Sequence, residues 1–152
     1  MRAKRAKAVV LAVCLAMGAF SGTVAGCKQG TPQISLGPAD AVLSPMLIGV
    51  GSVFLEIANK GNAEDYLLSA EAVIPGTITE LHDMQDGKMA RVERMRIPPH
   101  DSVRLRPGGL HIMIFKMPRN VSEGSECILR LNFEKSGPMN VALKFAKNLS
   151  SR

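Results

Sequence analysis

An all-β domain, an antiparallel β-sandwich or small Greek-key barrel, is the fold class this sequence predicts, on three observations. Short runs in which apolar and polar residues alternate recur along the chain after residue 40. Turn signals rich in Gly, Pro or Asn separate those runs. No stretch of the same region carries a convincing amphipathic helical period. Together these indicate about seven short strands around one core.

Ahead of the domain, Arg2, Lys4, Arg5 and Lys7 are followed by an unbroken run of apolar and small residues from Ala8 to Phe20. A basic start and a short apolar core make an export signal. That core falls short of the roughly 20 apolar residues a membrane helix needs, and no later stretch approaches them. The segment closes on Val24-Ala25-Gly26-Cys27, which resembles the lipobox of bacterial lipoproteins. That resemblance implies removal of residues 1–26 as a lipoprotein signal peptide and acylation of Cys27, giving an extracytoplasmic, membrane-anchored protein on the periplasmic side. Lys28, in place of an acid after the cysteine, suits sorting to an outer membrane where there is one.

The leader also distorts the apparent charge. The full chain has a formal charge of +6, but residues 1–26 hold four of its 19 basic side chains and none of its 13 acids, leaving a net charge of +2. With five Phe, one Tyr and no Trp there is no stacking platform for single-stranded nucleic acid, so a nucleic-acid partner is excluded. Of the three cysteines, Cys14 leaves with the leader and Cys27 is consumed by lipid. Cys127 is left without a disulfide partner. It opens the alternating run Cys127-Ile128-Leu129-Arg130-Leu131, which points to core packing.

Residues 27–40, rich in Gly, Pro and polar side chains, read as a tether between lipid and domain. Residues 41–148 suffice for one domain, without internal repeats. Val53, Leu55 and Ile57 alternate with Ser52, Glu56 and Ala58 until the turn signal Asn59-Lys60-Gly61-Asn62. Tyr66 to Ile74 fits a strand or a short helix and stops at Pro75-Gly76. Thr77 to His82 is rich in β-branched residues and places His82 at a strand end. Beyond a turn over Asp83 to Gly87, Met89 to Ile97 reads as one strand, closed by Pro98-Pro99. Val103 and Leu105 alternate with Arg104 and Arg106 up to the Pro107-Gly108-Gly109 turn. Leu110 to Met117 is the most apolar run after the leader and ends at Pro118. Leu129, Leu131 and Phe133, then Val141, Leu143 and Phe145, form two final strands joined by a Gly137-Pro138 turn.

The chemistry concentrates between His82 and Met113. That segment holds all three histidines (His82, His100, His111) and four of the nine methionines (Met84, Met89, Met95, Met113). On a strand, His111 and Met113 project from the same face about 7 Å apart, near enough to share an ion. Two imidazoles with two thioethers suit Cu(I): thioether sulfur is soft and neutral, whereas Zn²⁺ favours thiolate, imidazole and carboxylate, and Ca²⁺ or Mg²⁺ want oxygen. Methionine needs no deprotonation to bind and is not lost to disulfides outside the cytoplasm.

The spacing is specific. Twenty-one residues separate Met89 from His111-x-Met113, with His82 upstream and the Pro-Gly-Gly-Leu-His-Ile-Met run in place. This resembles the signature of the PCu(A)C family of extracytoplasmic copper chaperones: a His, about ten residues, a Met, 21 residues, then His-x-Met. The resemblance covers roughly Phe54 to Phe145. It implies a cupredoxin-like β-barrel, one Cu(I) held by His82, Met89, His111 and Met113, and a copper-accepting partner such as a cytochrome c oxidase subunit or its assembly factor. Here only six residues separate His82 from Met89, so the intervening loop is shorter than the family's and Met84 or Met95 competes as the second ligand, with Met84 also a candidate auxiliary sulfur. His100, in a Pro-Pro-His-Asp turn, reads as solvated, and Met117 as core.

Rival functions lack their parts. An electron-transfer blue-copper site needs a thiolate ligand with a His close behind it, and no histidine follows Cys127. Hydrolase, metalloprotease and c-type haem motifs are missing, which argues against an enzyme. A periplasmic copper buffer and a metal-free lipoprotein domain that only binds protein partners remain as alternatives.

Overall fold

The computed structural model describes residues 30–147, so the expected leader and Cys27 lie outside the described residues. Among the described residues there is no helix, and hence none long and apolar enough to cross a membrane. The described residues form twelve strands in chain order: β1 (Ile34–Leu36), β2 (Asp40–Leu43), β3 (Gly51–Phe54), β4 (Glu56–Asn59), β5 (Asp65–Ala72), β6 (Ile78–Gln85), β7 (Lys88–Arg91), β8 (Met95–Ile97), β9 (Asp101–Arg104), β10 (His111–Phe115), β11 (Glu126–Phe133) and β12 (Gly137–Ala146). A small sheet has the order β1-β4-β9 and a nine-stranded sheet the order β7-β6-β10-β3-β2-β12-β11-β5-β8.

The chain passes between the two sheets at single breaks. β3 and β4 are separated only by Leu55, and β1 leads into β2 through Gly37, whose amide donates to the Glu56 carbonyl at 2.8 Å. The strand pairs are antiparallel except one, β2 with β12, where Phe145 meets Ala41 in parallel. The long sheet curls until β5 reaches β6, where the Ala72 amide donates to the Thr79 hydroxyl at 3.3 Å. Inside the curl, the alternating apolar residues of each strand close one core. Val53, Ile57, Leu67, Ile97, Ile112, Ile114, Leu129 and Leu131 are all fully buried there.

Several local expectations change. Ile34–Leu36, inside the stretch read as a tether, is strand β1, paired with β4 from Ile34 opposite Asn59. The ambiguous run after residue 65 is strand β5. His82 lies well inside β6 rather than at its end, because Asp83, Met84 and Gln85 continue the strand. The turn that follows contains only Asp86 (φ 51°) and Gly87 (φ 74°), flanked by the Gln85–Lys88 pair. Two central residues with positive φ make the tight hairpin turn that matches strand twist, and Asp-Gly is a preferred pair for it. Met89 to Ile97 is two strands: β7 pairs with β6, whereas β8 pairs with β5 at the far edge of the sheet. The final hairpin turns over Glu134 to Ser136, with Gly137 (φ 73°) already opposite Phe133.

One buried charge ties the hairpin to the sheet. Asp65 is completely buried and accepts from the amides of Tyr66 (2.8 Å), Lys135 (2.9 Å) and Ser136 (2.9 Å). Burial pushes its carboxyl up, but the bonds from Ser136, Lys135 and Tyr66 outweigh it and hold the group below its usual range. Because the folded value is the lower one, this carboxylate's contribution is complete above the unfolded value of about 3.9 and is lost as pH falls through the depressed folded value. Asp65→Asn removes one of the two acceptors and is expected to cost about 1–3 kcal/mol near neutral pH. Urea unfolding across the acid range checks this: the variant loses less stability than the parent as the medium is acidified.

Candidate metal centre

Strand alternation sends two sets of side chains in opposite directions. In β10, Ile112 and Ile114 enter the core and are fully buried, so His111 and Met113 face the outside of the curled sheet. On β6, Leu81 is in the core and His82 faces outward. The β6–β10 register sets His82 directly opposite His111, and Met113 between Glu80 and Ser52. The imidazole centroids of His82 and His111 lie 5.8 Å apart, and Met113 is on the same face, two residues along β10. The structure thus brings three of the expected donors together. Their site lies on the outer face of the sheet, not in an opening between sheets.

These donors are outward but not bare. His82, His111 and Met113 are 9%, 4% and 7% exposed, shielded in part by the rings of Phe115, 6.0 Å from His82, and Phe54, 6.3 Å from His111. His111 sits at the start of β10, where the preceding turn can reach it: its Nδ1 is 2.7 Å from the Gly109 carbonyl. The Ser52 hydroxyl donates to the Met113 sulfur at 3.1 Å, orienting the thioether and leaving its second lone pair. His82 Nε2 contacts a Glu80 carboxylate oxygen at 2.9 Å, while its Nδ1 is buried with no hydrogen-bond partner. An unsatisfied buried nitrogen costs about 1–3 kcal/mol, which an incoming cation would offset.

The hairpin brings in more sulfur. Met84 lies two residues beyond His82 on the same face of β6, and Met89 stands opposite it on β7. By register Met84 is nearer His111 by one strand. Met89, however, is 52% exposed and lines the same groove as Met113, Phe54, Ser52 and Pro107, a space of about 470 Å³. Met95 turns into the core on β8 and is 2% exposed, so it leaves the set of candidates.

The remaining polar and sulfur residues lie elsewhere. His100 is an exposed turn residue with positive φ, and Met117 packs in the core. Cys127 is part-buried on β11 opposite Leu143, and burial pushes its thiol up, away from thiolate. Of the arginines, Arg91 contacts Glu80, Arg96 pairs with Glu64, Arg104 pairs with Glu56, and Arg94 lies over the Tyr66 ring. Among the described residues no group of three or more His, Cys, Asp or Glu side chains is placed to hold a metal ion, while the methionine sulfur of Met113 lies on the same face as the two imidazoles. Two imidazoles with thioethers remain, a donor set that fits a soft monovalent ion. Sequence reasoning missed Glu80 and Ser52. The signal was present in the same-face spacing of Glu80 from His82, but Ser52 needed knowledge of which strand lies beside β10.

The family model described as "lipoprotein LpqE-like" matches residues 40–145. No curated protein matches the sequence closely enough to count as a relative. Among solved structures, the copper-bound PCuAC domain from PmoF2 is 17% identical with a TM-score of 0.64, covering 76% of this chain and 93% of that one. The apo PCuAC domain from PmoF1 is 18% identical with a TM-score of 0.66, covering 76% and 94%. The solution structure of Cu(I)-DR1885 from Deinococcus radiodurans is 22% identical with a TM-score of 0.64, covering 82% and 85%. The chain therefore has the fold of PCuAC domains, as the resemblance to that family implied.

Proposed function

This chain belongs to the LpqE-like family, and from that premise, its PCuAC fold and its outer-face donors we propose that it is an extracytoplasmic copper chaperone. It binds one Cu(I) through His82, Met89, His111 and Met113 and passes it to a copper-requiring protein, such as a cytochrome c oxidase subunit or its assembly factor. The observation that carries this reading is the direct pairing of His82 with His111, centroids 5.8 Å apart, with Met113 on the same face. Two similar structures, the PmoF2 domain and DR1885, are copper-bound. In this reading residues 1–26 direct export, Cys27 carries the lipid, and a short tether reaches β1.

The donor set is neutral, so a bound Cu(I) keeps its single positive charge and is held less tightly than in a thiolate cage. Met89 is the ligand an acceptor reaches first, being 52% exposed where the other three are nearly covered. Displacing that thioether gives the acceptor a coordination position while the imidazoles still hold the ion. This uneven exposure supports delivery over buffering, and a carrier role rather than catalysis.

Competition against a chromophoric Cu(I) chelator should show one tight equivalent for the parent chain. His111→Ala and Met113→Ala should each weaken it at least about tenfold, roughly 1.4 kcal/mol. Chelator absorbance unchanged by the parent protein would rule the copper reading out. In the same assay Met89→Leu should lose affinity and Met84→Leu retain it; the reverse result would move the second ligand to Met84. Cys27→Ser should release the protein from membranes into the soluble fraction, and continued membrane association would sink the lipid anchor.

A further inference from the structure

Among the described residues Glu80 is the one carboxylate in contact with a histidine. It stands two residues before His82 on the same face of β6, with one oxygen 2.9 Å from His82 Nε2. Its other oxygen lies 3.4 Å from Arg91 Nη1, and Arg91 is the cross-strand neighbour of His82 on β7. The carboxylate is thereby fixed between a guanidinium and an imidazole.

A carboxylate oxygen only accepts, so the nitrogen facing it carries the hydrogen. A neutral imidazole has one N–H, and in His82 that hydrogen is on Nε2. The lone pair is then on Nδ1, the buried nitrogen with no hydrogen-bond partner. A second hydrogen on Nδ1 would be a buried donor with nothing to receive it. His111 is arranged the other way round. Its Nδ1 is 2.7 Å from the Gly109 carbonyl, which also only accepts, so Nδ1 carries the hydrogen and Nε2 keeps the lone pair.

We infer that Glu80 is a positioning residue for the metal centre: it holds His82 as the Nε2–H tautomer, so that His82 presents Nδ1 to Cu(I) while His111 presents Nε2. This rests on the copper reading above and deepens it. A carboxylate behind a ligating imidazole fixes its ring orientation and strengthens it as a donor, and losing such a partner typically weakens metal binding 10–100-fold. Glu80 touches the ion in neither state and acts only through His82.

The test uses the full chain labelled with ¹⁵N-histidine, with and without one equivalent of Cu(I), which is diamagnetic and keeps the spectra sharp. Long-range ¹H–¹⁵N correlations of the apo protein should show His82 with its hydrogen on Nε2 and His111 with its hydrogen on Nδ1. On loading, the metal-induced shift should fall on His82 Nδ1 and His111 Nε2. Glu80→Ala should raise the Cu(I) dissociation constant about 10–100-fold and let the apo His82 populate both tautomers. Glu80→Gln, whose amide can either accept from or donate to Nε2, should also give a tautomer mixture while preserving the packing. The amide fingerprint of each variant separates these effects from loss of fold. A metal shift on His82 Nε2, or an unchanged His82 tautomer and copper affinity in both variants, would overturn the inference. A parent chain that binds no Cu(I) would instead sink the copper reading, and the apo spectra would still decide whether Glu80 sets the tautomer.

Discussion

The register of β6 against β10 is the constraint on which both the core and the candidate metal centre depend. It pairs Leu81 with Ile112 on one face and His82 with His111 on the other. A slip of β6 by one residue would exchange its faces, turning His82 into the interior and Leu81 into water. The apolar face settles the matter: Leu81, Ile112 and Ile114 are buried with Val53 from β3, which pins three adjacent strands in one alignment. The donor-bearing side then follows from the hydrophobic side without separate backbone design. Gly51 contributes beneath it, since a Cβ there would stand 3.0 Å from the Met117 methyl and 3.1 Å from the Val42 carbonyl.

Alternation made much of this legible in the sequence. Leu129, Leu131 and Phe133, and likewise Val53, Leu55 and Ile57, are inward as their spacing requires. The same-face placement of His111 and Met113 is an i, i+2 relation that needs no knowledge of neighbours. Partnership between strands was not legible, because period-two alternation states which side of a strand is apolar and not which strand lies beside it. The parallel contact of β2 with β12 is one consequence, and the membership of β8 in a different part of the sheet from β7 is another. The three-residue β1 escaped notice because its hydrogen bonds come from β4, not from a strong local propensity. His82 looked terminal because polar Asp83 and Gln85 follow it, yet on a hairpin both sides of a projecting ribbon tolerate polar residues.

The shortened segment between His82 and Met89 has a physical explanation in the Asp86-Gly87 turn. A two-residue turn lets β6 and β7 stay paired to the tip, which keeps Met84 and Met89 on one face and directly opposed. A longer loop would free the second methionine from that ladder. Here the backbone fixes both sulfurs, and the choice between them passes to the side chains. Met89 reaches into the groove it shares with Met113, while Met84 begins one strand closer to the imidazoles. A thioether on three rotatable bonds spans such differences at little cost, which is why register alone does not decide between them.

An ion carrier must hold its cargo against water and still release it on contact, and these demands favour different surroundings for different ligands. Burial of His82, His111 and Met113 among Phe54, Phe115 and Ser52 keeps water from competing and fixes the donor directions. In the proposed carrier it would also make those three side chains slow to release the ion, since each is packed and oriented by a neighbour. The exposed sulfur of Met89, on a two-stranded ribbon, has no such support, and in the carrier proposed above it would be the weakest link in the coordination shell and the place where exchange begins. On the proposed function, burying Met89 would tighten binding and obstruct transfer together, so an exposure that looks like a packing defect is what delivery would require.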